Sequence, residues 1–138
     1  MRKSMCLVFG AVVIFGLTVI AEKAPDSFST VMKDNGATLQ KIGKDVDAKD
    51  YDAIAASATK LKNNFAGPVG TFFTGRKDDV ALKHCQAAHD ASAALETAAK
   101  AKNDSGIADA RKTLQGACGA CHMARREKMP DGTFEIKQ

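Results

Sequence analysis

Five consecutive residues near the C-terminus hold the most specific chemistry in this chain. Cys118-Gly119-Ala120-Cys121-His122 is a C-x-x-C-H pattern, the attachment signal for a c-type haem. The spacing has a physical reason. On a helix, residues three and four apart share a face, so the thiols of Cys118 and Cys121 can both reach the two vinyl groups on one porphyrin edge. His122, four residues after Cys118, can then bring its imidazole to the iron as an axial ligand. Gly119 and Ala120 are small and leave room for the ring. The competing reading is a redox or metal-binding cysteine pair beside an incidental histidine.

Such a motif needs a scaffold, and helical spacing supplies one. Alanine dominates, strand formers are sparse, and Pro25, Pro68 and Pro130 fall near element edges. Four helices are predicted from apolar periodicity. The first runs from Asp26 or Ser27 to Val46, with Phe28, Met32, Asn35, Leu39, Ile42 and Val46 on one face. Asp50 caps the second, which carries Tyr51, Ile54, Ala58, Leu61 and Phe65. Gly67-Pro68 disturbs or ends it, and Val69, Phe72 and Phe73 form an apolar connector up to Gly75. Asp78 or Asp79 caps the third, with Ala81, His84, Ala88, Ala91, Leu95 and Ala98 facing inward. Asp104 or Ser105 caps the fourth, whose inward residues are Ile107, Ala110, Leu114, Ala117, Cys121 and Ala124. Short connections make neighbours antiparallel, so the expected fold is an all-α, up-down-up-down four-helix bundle. The third and fourth faces are mostly alanine, which buries little area; a haem would supply the missing apolar volume. No internal repeat is evident.

The N-terminus reads as a secretory leader. Arg2 and Lys3 precede an apolar run from Leu7 to Ile20, too short to span a bilayer, and Val19 and Ala21 suit cleavage before Glu22. Residues 1–21 are the expected signal peptide and residues 22–138 the haem domain, with a short tail over about 129–138. An uncleaved anchor is the alternative, and it too would place the domain outside the cytoplasm; the expected location is periplasmic. Cys6 lacks the flanking residues of a lipoprotein cysteine. The leader holds two basic and no acidic residues, so the net charge of +4 falls to +2 on cleavage. No basic patch interleaved with aromatics appears, so nucleic acid is not an expected partner, nor is the membrane once the leader is gone.

The motif, its place near the end of the last helix and the chain length resemble the class II c-type cytochromes, the cytochrome c-prime superfamily, over about Ser27 to Lys128. The resemblance implies one covalent haem c in a four-helix bundle. It implies a basic residue four after the haem histidine, near the proximal face, where Arg126 stands. Many members carry an aromatic early in the third helix; Val80 and Leu82 are the bulky residues here, and Phe72 or Phe73 could take that packing role. Met32-Lys33-Asp34-Asn35-Gly36 looks like the first-helix segment of the low-spin, methionine-ligated branch. That makes Met32 the second axial ligand, with Gly36 letting the ring approach. A thioether raises the potential, which suits an electron carrier. The alternative is that Met32 is core packing and the iron is five-coordinate, binding gases such as nitric oxide or carbon monoxide. A non-haem bundle that binds a metal or a partner is a third reading, opposed by the intact motif. The implied partners are redox proteins, and family members often form homodimers through the early helices.

Other residues carry less. Cys85 reads as a buried free thiol; a small metal site with His84 and His89 is the weaker reading. Met129 follows His122 on the proximal side and Met123 points away from its neighbour's face. Lys60, Lys62, Arg76 and Lys77 read as solvated faces or a weak docking surface. Pro130-Asp131-Gly132 signals a turn, after which Phe134 and Ile136 fold back on the bundle or the tail stays mobile. No nucleophile–base pair, phosphate loop or carboxylate pair stands out, so no enzyme is expected.

Overall fold

The computed structural model describes residues 22–137, and the expected leader lies outside the described residues. Four long helices make an all-α antiparallel bundle: α1 (Asp26–Asp47), α2 (Tyr51–Asn64), α4 (Asp79–Lys100) and α5 (Asp104–Arg125). A short helix, α3 (Gly70–Gly75), precedes α4. Packing runs α1 on α2, α2 on α4 and α4 on α5, while the backbones of α1 and α5 stay apart.

Three turns are built alike. Lys49, Lys77 and Lys102 take left-handed backbone angles, φ 55°, 54° and 52°. Each lysine amide donates to the carbonyl three residues back, on Val46, Thr74 and Ala99. The next residue's amide donates five back, to Asp45, Phe73 and Ala98, which is the Schellman arrangement. That next residue then caps the following helix. The side chains of Asp50, Asp78 and Asn103 accept from the amides of Ala53, Ala81 and Gly106, at 3.0 Å in each case. Asn103, rather than Asp104 or Ser105, therefore caps α5.

The stretch expected as a connector is helical. The chain kinks at Gly67 (φ −91°, ψ −107°), within Phe65–Val69, as Gly67-Pro68 led one to expect, and α3 follows directly. Pro68 has no amide to lose and suits the first turn of a restarted helix. A Cβ on Gly70 would lie 2.7 Å from the Phe65 carbonyl oxygen, so the chain closes on itself there only with glycine.

Inward faces follow the apolar spacing. Ile42, Ile54, Ala58, Leu61, Ala81, Leu95, Ala99 and Leu114 are fully inaccessible. Much of the contribution from α4 is alanine: Ala81, Ala88, Ala91 and Ala99. Small side chains let α4 seat closely between α2 and α5, but each buries little area.

Two ties gather the far end of the bundle. Phe28 of α1 meets Phe72 and Phe73, with ring centroids 4.1 Å and 5.5 Å away. Arg125, at the end of α5, donates from Nε and Nη2 to the Asp78 carboxylate at 2.6 Å and 2.8 Å. The tail then folds back, but of the two residues expected to pack on the bundle only Ile136 does so, and Phe134 stays exposed. β1 (Arg126–Lys128) pairs antiparallel with β2 (Phe134–Ile136), Arg126 opposite Ile136. Ile136 is buried and its backbone pairs with Glu22. Among the described residues no helix is long and apolar enough to cross a membrane.

Candidate functional site

Cys118, Cys121 and His122 occupy the last two turns of α5, all half-buried, and both thiols rest against the core. Burial, with Cys121 beside it, pushes the Cys118 thiol up to about 11. Burial and the Asp78 charge also push the Cys121 thiol up. Both sulfurs therefore stay protonated near neutral pH. His122 moves the other way: burial, then the Arg126 charge, hold it below the usual imidazole value. A neutral imidazole keeps a lone pair free for a metal.

Met32 lies on α1, partly buried against the core, and its level relative to this group follows from the helix register. A Cβ on Gly43 of α1 would lie 3.5 Å from Arg111 Nη2 of α5. At the same end, Tyr51 donates to Asp104 at 2.9 Å. The helices run antiparallel, so each step back along α1 matches a step forward along α5. Met32 lies eleven residues before Gly43, and His122 eleven residues after Arg111. At about 1.5 Å rise per residue, both stand roughly 16 Å from that contact, at one height. Phe28, Met32 and Leu39 on α1 and Ala117, Cys118 and Cys121 on α5 are all partly buried against the core edge. They belong to the two helices whose backbones do not pack on each other.

Asn35, one turn beyond Met32, is 3 % exposed. Its Oδ1 accepts from Asn64 Nδ2 at 2.7 Å, which turns its own amide nitrogen away. That Nδ2 is buried with no acceptor, an arrangement that costs about 1–3 kcal/mol. Asn35 was legible only as a polar interruption of an apolar stripe. Gly36 and Gly119 have no heavy atom within 4 Å of an added Cβ, so the backbones of both helices are open to close approach there. Two thiols, a neutral imidazole and a level thioether form a donor set that suits a covalently held haem. A buried amide donor without a partner is of the kind that a bound acceptor satisfies.

The remaining candidates separate clearly. Arg126 begins β1, is exposed, and lies 3.3 Å over the Phe134 ring. Val80 is exposed, whereas Leu82 is half-buried against the core. Met123 is 77 % exposed, and Met129 sits in the hairpin turn, its amide donating to Thr133. Cys85 is buried, as expected. His84 and His89 are half-buried, and His89 contacts its neighbour Asp90 at 2.9 Å. Among the described residues no three His, Cys, Asp or Glu side chains converge to hold a metal ion. The Asp78–Arg125 tie, just past the motif, was missed in the sequence because its partners lie 47 residues apart. Compared with known proteins, the chain matches no family model and no curated sequence.

Proposed function

We propose that this chain is an exported monohaem c-type cytochrome, of the class II kind, that carries single electrons between redox proteins. The supporting observation is the C-x-x-C-H motif on the inward side of α5 with Met32 level with His122 on α1. Cys118 and Cys121 would hold the haem covalently through their two sulfurs. His122, whose imidazole is held neutral, and Met32 would be the residues that bind the iron. Bound haem supplies reversible one-electron chemistry at iron, and a thioether ligand favours the ferrous state. Arg126 places a positive charge beside His122.

The test is the visible spectrum of the purified protein, oxidised and reduced. Haem should survive acid–organic extraction, and the iron should be low-spin in both states. Met32→Ala should turn it high-spin, speed carbon monoxide binding and lower the potential without losing haem. If the unmodified protein is high-spin and binds carbon monoxide at once, Met32 is core packing and the gas-binding reading replaces this one. A mature mass without haem, from cells able to attach it, would refute both.

A further inference from the structure

A third thiol stands beside the pair that the proposed function uses. The register of α4 against α5 is fixed at both ends. Asp78 meets Arg125 at 2.6 Å, and a Cβ on Gly106 would lie 3.1 Å from the Ala98 side chain. Cys85 lies seven residues after Asp78, and Cys118 seven before Arg125. Counted from the other end, Cys85 is thirteen residues from Ala98 and Cys118 twelve from Gly106, so the two counts agree within one residue. Cys85 is therefore level with Cys118, and Cys121 is less than one turn further along the same face. All three sulfurs are inward: Cys85 belongs to the buried core, and Cys118 and Cys121 rest on it. The buried face of α4 is mostly alanine, and α4 packs closely on α5. The Asp78 charge bears on both Cys85 and Cys121. Cys85 also borders a groove of about 390 Å³ lined by Phe65, Thr71, Leu82 and Gln86.

We propose that Cys85 is a redox partner of the C-x-x-C pair: in a chain that has not yet acquired haem, it forms a disulfide with Cys121 or Cys118 and so withholds one attachment thiol. This rests on the haem reading for its consequence but not for its chemistry. Two thiols lose their hydrogens and one S–S bond forms; a small disulfide oxidant, such as oxidised glutathione, takes up both electrons and both protons and leaves as two thiols. Reduction reverses the step and frees both attachment sulfurs. Once both thioethers exist, Cys85 has no partner and stays a thiol.

The experiment uses the full chain, exported by cells with limited haem supply. Free thiols are trapped with acid and alkylation, and cysteine peptides are mapped by mass. Haem-free chains should carry Cys85 linked to Cys121 or Cys118, two hydrogens lighter than the thiol form, and haem-bearing chains should carry alkylated Cys85. If about half of the chains are diverted in this way, Cys85→Ala should raise the haem-bearing fraction about twofold, and added reductant should give the same rise without the substitution. Cys85 alkylated throughout, or only Cys118–Cys121 disulfides, would overturn the proposal. Absence of haem from every chain at full supply would overturn the proposed function instead, and the disulfide map would still decide for or against Cys85.

Discussion

The tie between Asp78 and Arg125 should be the most consequential surface-proximal interaction in the bundle. Asp78 has two jobs: it accepts from the Ala81 amide as the cap of α4, and it takes both donors from Arg125. Asp78→Ala removes both. Loss of a cap costs about 1 kcal/mol. An exposed ion pair is worth about 0–1 kcal/mol, and breaking a buried one costs about 3–5 kcal/mol. The Asp78 and Arg125 side chains are 10 % and 24 % exposed, so about 2 kcal/mol is reasonable here. The expected loss is about 3 kcal/mol for Asp78→Ala. For Asp78→Asn, which can still cap, it is about 2 kcal/mol. At about 4 °C per kcal/mol, melting points should fall by about 12 °C and 8 °C. Burial alone would raise the Asp78 carboxyl, but the Arg125 and Ala81 hydrogen bonds outweigh it and hold it low. A depressed carboxylate stabilises the fold above its unfolded value of about 3.9, and that stability is lost as pH falls through its folded value. The gap between unmodified and Asp78→Asn protein should therefore be full at pH 7 and close in acid. Thermal melts from pH 7 down to pH 3 measure it. A gap that is constant across that range, or equal losses for Ala and Asn, would refute the two-part account.

Other predictions concern single positions. Gly70→Ala should destabilise by about 2 kcal/mol or more in chemical denaturation, because its Cβ would meet a backbone carbonyl; Gly75→Ala, with open space, should be neutral or slightly stabilising. Ile136→Ala should cost about 2–3 kcal/mol and increase hydrogen exchange in both short strands. Burial pushes the Cys85 thiol up to about 12, so little of it is thiolate near neutral pH. Alkylation of Cys85 in the haem-bearing protein should then be far slower than after unfolding, and equal rates would show that it is exposed.

What the sequence disclosed and what it hid follow the range of the interactions. Helix faces are set by spacing along one element, and the stripes through Ile42, Leu61, Leu95 and Leu114 are buried as periodicity predicts. The C-x-x-C-H motif is equally local. Asp50 and Asp78 were readable as caps because a short acceptor before an apolar stretch has one obvious use. Asn103 was passed over because Asp104 and Ser105 beside it are equally good acceptors, and only the lysine before it decides which is used. The break at Gly67 was readable from Gly67-Pro68, but the helix that restarts over Gly70–Gly75 was not, since its apolar residues carry no helical signal of their own. The level of Met32 against His122 depends on contacts more than fifty residues apart, such as Tyr51 with Asp104, and no local pattern encodes them.

The three lysine turns set something beyond their own conformation. An α-helix advances about 1.5 Å and rotates about 100° per residue, so each turn fixes both the height and the phase of the helix after it. Met32 and His122 share a height only because the chain counts correctly through Ala48-Lys49-Asp50, Arg76-Lys77-Asp78 and Ala101-Lys102-Asn103. One residue inserted at Lys102 would swing the inward stripe of α5 by more than a quarter of a circle, carrying Cys118 and His122 toward solvent while leaving every helix intact. The site is thus indexed through turns at both ends of the bundle, and its geometry is sensitive to their length.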